Sequence, residues 1–497
     1  MQNDNCKLHF NVLKFLYQKY RRYSMSTQLN KKYGLLTAIC TVVGTVIGSG
    51  VFFKAEKILT ETGGNLPVGI LAWVIGGLIM VACAYAFSIL ATKHEKVSGI
   101  VDYAEAMCGK KYAYFMGWFL ALFYYPTLTS VLAWVSARYL CVFINAFLPE
   151  EAQLSIVGPQ CMTIAGVLLI CVFFMNTIAP KIAGKFQVSA TFIKLIPLFL
   201  MAIVGTIKGL TNGLLVQNFT TIVNEDISTS SGLFKAVVAT AFAYEGWICA
   251  TSINAELKDA KKNLPKALVA GTLIIVAVYI TYYIGLAGGI ENEVIMAGGE
   301  AGARIAFSSV FGNFAGTALF LFVVISCLGT LNGLTLGCSR AFHAVASRNL
   351  GPAPQIFKQV DPATNMPGNS SMVGLFISAL WLLFFYGSQL DTPWFGPFSF
   401  DSSELPIITT YAMYLPIFFK MLTTSKDLGV VKGKIAPILA ICGSIFMVVA
   451  AVFAHGVYPY QAAKADGRFN LPVLFYLITY AVIMVFGAVF MKSKKSK

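Results

Sequence analysis

The sequence predicts an all-α membrane protein of about twelve transmembrane helices, the first and sixth of them broken, and three observations support that class. The chain is too apolar for a water-soluble fold: of 497 residues 57% are hydrophobic and 12% charged, with a mean hydropathy of +0.71. Its apolar residues gather into runs long enough to cross a bilayer, which takes about 20 residues of helix. Two of those runs, five spans apart, carry glycine and polar residues near their middles.

In chain order the predicted spans are 34–59, 67–92, 112–147, 157–178, 187–206, 233–254, 267–289, 311–344, 372–387, 403–421, 435–455 and 471–491. The third and eighth are longer than a bilayer requires, which implies steep tilt or extension beyond it. With the N-terminus placed in the cytoplasm, 28 of the 37 Lys and Arg residues fall in inside segments and 8 outside, while Lys194 lies within a span. That asymmetry fits the positive-inside rule with both termini cytoplasmic, as in a multi-pass protein of the cell membrane. The net charge of +15 thus sorts to one membrane face, so the expected surrounding is a lipid bilayer and not a nucleic acid.

Residues 1–33 are polar and basic with no cleavable signal pattern, and Met25 offers an alternative start. Residues 492–497 form a basic cap on the inner face. The 11 cysteines contain no CxxC and no paired extracellular set; Cys40, Cys83, Cys141, Cys171, Cys249, Cys327 and Cys442 read as small packing residues inside spans. His9, His94, His343 and His455 are isolated in sequence, so neither a metal site nor any other cofactor is implied. Asn218-Phe219-Thr220 is a glycosylation sequon in an outside loop, for which chance occurrence is a sufficient account.

The interruptions carry the chemistry. In the first span Thr45-Val46-Ile47-Gly48-Ser49-Gly50-Val51-Phe52 sets two glycines around a serine; in the sixth, Phe242-Ala243-Tyr244-Glu245-Gly246-Trp247 sets a carboxylate beside a glycine. Lipid offers no partner for free N–H and C=O groups, so unwound backbone at this depth must be buried in protein or line a wet cavity. Corresponding breaks in two halves point to a substrate site at the bilayer midplane. Freed N–H groups at Gly48-Ser49-Gly50 suit a carboxylate, and freed carbonyls suit an ammonium, so two facing breaks can hold an α-amino acid by its two poles. The competing account of the glycines is close helix packing, and Gly44 with Gly48 fits a small-xxx-small contact; the second break favours the site.

A charge at the bilayer centre costs about 2.5–3.5 kcal/mol on insertion scales, so Glu245 needs a function. It either meets a cationic group of the substrate, carries a proton, or pairs within the protein. Lys194 either replaces a bound cation, titrates, or snorkels towards the interface.

At these residues the chain resembles the amino acid–polyamine–organocation superfamily, and within it the permeases related to L-type exchangers, over nearly all of 33–491. Gly48-Ser49-Gly50-Val51-Phe52 is similar to the family's GSG-(I/V)-F element, Phe242 to Trp247 to its FAY-x-GW element, and Ser326 to Gly333 with Ser339-Arg340 to its eighth span. Lys194-Leu195-Ile196-Pro197 matches a fifth-span lysine that stands in for sodium in sodium-independent members. The resemblance implies two inverted five-helix repeats in a leucine-transporter-like core (34–425), followed by two peripheral helices (426–491). It implies substrate contacts at Thr45, Ile47, Gly48, Ser49, Gly50, Phe242 (the aromatic gate), Ala243, Tyr244, Glu245 and Gly246, with Lys194 and Ser326 replacing a sodium site.

Two departures matter. No cysteine stands just ahead of Pro149-Glu150-Glu151, where animal L-type members bond a heavy chain, which argues against such a partner. The x of FAY-x-GW is glutamate, which leaves neutral and cationic substrates both open. The reading is a sodium-independent amino acid exchanger working by alternating access. Its rivals are a proton-coupled symporter, a polyamine or cationic amino acid carrier, and a nutrient receptor that does not translocate. No clustered catalytic set points to an enzyme.

Overall fold

The computed structural model describes residues 31–93, 98–424, 428–465, 467 and 469–491. The basic N-terminal segment up to residue 30, the alternative start at Met25 and the basic tail 492–497 lie outside the described residues. Eleven helices are long and apolar enough to cross a membrane, and a bent pair, Leu35–Val46 and Gly50–Glu61, makes twelve when counted as one span. The others run Leu66–Lys93, Ile100–Asn145, Pro159–Ile178, Pro180–Thr211, Thr229–Glu256, Ala260–Gly289, Asn313–Ala346, Gly368–Ser388, Leu405–Thr424, Val431–Ala465 and Pro472–Phe490. Among the described residues strand pairing amounts to two isolated bridges, Tyr33 with Leu257 and Asp361 with Met366.

Several spans exceed their apolar runs because helical hydrogen bonding continues through polar ends that a hydropathy window discards. The third starts at Ile100 instead of 112, and Gly109 (φ 85°, ψ 172°) kinks it, so its leading segment is a separate helix running into the membrane helix. The fifth starts at Pro180 and the fourth at Pro159, first-turn positions where a missing N–H costs nothing. The eleventh reaches Ala465 through a π-turn at Phe453–Val457.

The most extensive helix contacts join the second span to the seventh and the third to the eighth. Burial places the centre: the apolar window of Thr229–Glu256 is 94% buried and that of Pro472–Phe490 only 11%, so the sixth span is the axis and the twelfth faces lipid. Cys40, Cys83, Cys141, Cys249 and Cys327 pack inside, whereas Cys171 and Cys442 are exposed on the outer surface and do not serve the packing expected of them. Asn218 is not a loop residue: it is buried in the helix Leu214–Thr220, its amide donating to the carbonyls of Ala287 (2.6 Å) and Ile290 (2.9 Å), so the sequon is closed to modification.

Candidate functional site

The inner half of the first span ends at Val46, and Ile47 turns extended (φ −71°, ψ 96°) before the outer half begins at Gly50. The first N–H groups of that outer half-helix have no intrahelical acceptor, and Gly48, Ser49 and Gly50 line a narrow central cavity. The sixth span stops at Ala243, and Gly246 takes φ 107°, a conformation that only glycine adopts without strain. Beyond it the chain winds as a ten-residue 3₁₀ helix, Trp247–Glu256, much longer than the usual short turn and a mark of a hinge. The two breaks touch: a Cβ on Gly50 would lie 2.7 Å from Ala243 Cα.

Thr45, Gly48, Ser49, Gly50, Phe242, Glu245 and Gly246 come together around the cavity. The structure turns the other expected contacts elsewhere. Ile47 is fully buried, with its carbonyl aimed at Lys194; the Ala243 carbonyl accepts from the Tyr279 hydroxyl (2.9 Å); and the Tyr244 hydroxyl donates to the Trp73 carbonyl (2.9 Å) within an aromatic cluster. The cavity wall also includes Leu128 and Leu132 of the third span and Thr330 and Leu334 of the eighth. These carry no distinctive signal, because one apolar helix face reads like another until its neighbour is known. The Thr45 hydroxyl is buried against Gly333 and has no hydrogen-bond partner among the described residues.

Glu245 is 6% exposed and accepts a hydrogen bond from the Tyr124 hydroxyl. Among the described residues it has no ion-pair partner, so the internal-pairing account reduces to this phenol and the Gly246 N–H. Lys194 is wholly buried and does not snorkel. Its ammonium donates to the carbonyls of Gly44 (2.7 Å), Ile47 and Ser326 (3.2 Å), two of them at the end of the broken inner helix. The Ser326 hydroxyl donates to the Ile47 and Gly48 carbonyls, each at 3.2 Å, and Thr330 to Ile47 at 3.2 Å. An ammonium in a ring of carbonyl oxygens satisfies acceptors that the break would leave bare.

A family model described as amino acid permease matches residues 33–486. The chain belongs to that family. This permease is a membrane transporter of the amino acid–polyamine–organocation superfamily and not an enzyme. It is 29% identical over 429 residues to the serine/threonine exchanger SteT of Bacillus subtilis (strain 168), covering 84% of this chain and 90% of that one. It is 26% identical to the human cystine/glutamate transporter (73% and 70% covered) and 24% identical to the mouse b(0,+)-type amino acid transporter 1 (88% and 85%). A crystal structure of MhsT in complex with L-phenylalanine shares the fold at a TM-score of 0.60 and 15% identity, over 86% of this chain and 99% of that one.

Two clusters of ion pairs tie the ends of the broken spans to their neighbours. Away from the basic face, the Lys54 ammonium lies 5.4 Å from the Phe242 ring centroid and pairs with Glu404, just ahead of the tenth span; Lys57 (3.7 Å) and His455 (3.1 Å) share that carboxylate. His455 is therefore not isolated in space, as its sequence position suggested. At the basic face Glu256, ending the sixth span, holds Arg340 of the eighth and Lys32 (2.6 Å), and its carbonyl accepts from the Lys32 and Tyr33 N–H groups. Burial pushes the Lys32 ammonium down from its ordinary range, with Glu256 pulling the other way. Glu256, Glu404 and their partners escaped sequence reading because each carboxylate finds its cation many residues away.

Proposed function

We propose that this permease is a sodium-independent amino acid exchanger, with the α-carboxylate held by the N–H groups of Gly48 to Gly50 and the α-ammonium by carbonyls freed at the two breaks. The observation that carries it is the Lys194 ammonium among the carbonyls of Gly44, Ile47 and Ser326, a fixed cation where a coupling ion would sit. The names of its relatives, a serine/threonine exchanger and a cystine/glutamate transporter, support the exchange reading. Spans one to ten (34–425) form the inverted-repeat transport core, 426–491 are peripheral, and the basic face is cytoplasmic, with both termini. The loop between Asn145 and Gly158 carries no cysteine, so the permease works without a disulfide-linked heavy chain.

Counterflow in proteoliposomes is the test. Uptake of a labelled amino acid should require unlabelled amino acid inside and should not change when choline replaces sodium outside. Uptake that rises steeply with external sodium removes the exchanger reading, and uptake into empty vesicles driven by a pH gradient replaces it with proton symport.

A second reading, a carrier for cationic amino acids, is favoured by the lack of an ion-pair partner for Glu245 on the cavity wall. A close desolvated charge pair is worth several kcal/mol, and affinity changes about tenfold per 1.4 kcal/mol. Under this reading lysine and arginine outcompete serine, alanine and leucine, and Glu245→Gln weakens them at least about tenfold more than the neutral set. The same ranking of inhibitors on both proteins takes Glu245 out of the specificity site.

A further inference from the structure

A second cavity, an open groove wider than the central one, lies away from it at the basic face, between the inner half of the first span and the second, seventh and eleventh spans. Its walls are apolar, from Leu35 and Ile39 to Val269 and Leu273, and Leu273 is 53% exposed on the surface that meets lipid. Two lysines stand at its rim, Lys266 in the first turns of the seventh span and Lys432 at the start of the eleventh. Among the described residues no carboxylate lines the cavity and neither lysine has an ion-pair partner. The hydroxyls of Ser88 and Thr92 are spent on their own helix, donating to the carbonyls of Tyr85 and Ile89 at 2.7 Å each, which leaves the lysines as the charged donors.

We propose that this groove binds one anionic phospholipid from the leaflet at the basic face, its phosphate between Lys266 and Lys432 and an acyl chain along Ile39, Val269 and Leu273. The charge complementarity selects the occupant: a cationic rim at headgroup level over an apolar slot at chain level matches an anionic lipid, and basic pockets between transmembrane helices bind such headgroups. A soluble anion would leave the apolar wall uncovered, and a neutral lipid would leave two ammonium groups uncompensated. Because Leu35 and Ile39 belong to the inner half of the broken span, the bound lipid braces that half-helix against the seventh span. This inference is independent of which amino acid is carried.

Native mass spectrometry of the purified full chain, titrated with phosphatidylglycerol, reads it directly. The expected result is one phosphatidylglycerol retained in preference to phosphatidylcholine. Lys266→Gln/Lys432→Gln should bind it more than about tenfold more weakly, since each lysine near the surface contributes about 1 kcal/mol. Both lysines are exposed, so this variant keeps its packing. Lys110→Gln/Lys111→Gln, equally exposed, should bind as the parent does. Ala270→Trp, which fills the slot without touching charge, should also lose the lipid. Equal retention of phosphatidylcholine, full displacement by inorganic phosphate, unchanged binding in the Lys266/Lys432 or Ala270 variants, or equal loss in the Lys110/Lys111 variant would each overturn the proposal.

Discussion

Replacing Gly50 with leucine should abolish substrate binding while leaving the protein inserted and monodisperse. The Cβ alone would meet Ala243 Cα at 2.7 Å and Cβ at 3.1 Å, and a backbone atom has no rotamer with which to move aside. The two broken helices must part, and the N–H groups of Gly48 to Gly50 leave the positions from which they converge on the cavity. Overpacking of this kind costs about 1–3 kcal/mol, which becomes roughly a five- to hundredfold loss of affinity when the strain falls on the binding geometry, and the leucine branch then fills the space itself. Gly34→Ala, where an added Cβ has nothing within 4 Å, serves as the control and should bind normally. Scintillation proximity with a labelled amino acid measures both, and unchanged affinity in the Gly50→Leu protein would show that the first break is not the carboxylate receptor.

Lys194→Ala should lose more than about tenfold in exchange rate and should also lower thermal stability. The Gly44 carbonyl, at the end of the broken helix, loses its side-chain donor, and a buried polar group left without a partner costs about 1–3 kcal/mol; the Ser326 carbonyl loses its side-chain donor too but lies within the continuous helix Asn313–Ala346. Ile47 keeps the hydroxyls of Ser326 and Thr330, so the break is weakened without being emptied. Lys194→Arg should fail nearly as badly despite keeping the charge. A Cβ on Gly329 would lie 3.0 Å from the ammonium, so the cage is closely fitted and has no room for a planar guanidinium. The measurement that separates a cation substitute from a mere packing residue is ion dependence: the alanine variant should gain a response to sodium that the parent lacks. A variant that exchanges at the parental rate, or one that is slow but indifferent to sodium, would remove Lys194 from the coupling role.

Much of this was legible in the chain. Twelve apolar runs fix the number of spans because lipid admits only segments that satisfy their own backbone, and that requirement is written residue by residue. The glycines and the carboxylate at Gly48, Gly50, Glu245 and Gly246 mark the breaks, because two such interruptions in corresponding spans are tolerated where the backbone is buried in protein or lines a cavity. The resemblance carried by those elements named the family, and the match over residues 33–486 agrees with it. Helix ends were misplaced at the third, fifth and eleventh spans because hydropathy measures lipid contact, whereas a helix ends where its hydrogen bonds do.

What only the tertiary structure decided is where each side chain points and what it meets. Ile47, Ala243 and Tyr244 share the breaks with the cavity residues, yet they turn to Lys194, Tyr279 and Trp73. Leu128, Leu132, Thr330 and Leu334 reach the cavity from spans whose sequences give no sign of it. The carboxylates of Glu256 and Glu404 gather cations from spans far along the chain, and Lys194 finds carbonyls 150, 147 and 132 residues away. The physical reason is common to all of them. The cost of placing a residue in the membrane depends on that residue and can be read locally, but the partner that offsets the cost is set by which helices pack together, and that pairing exists only once the chain has folded.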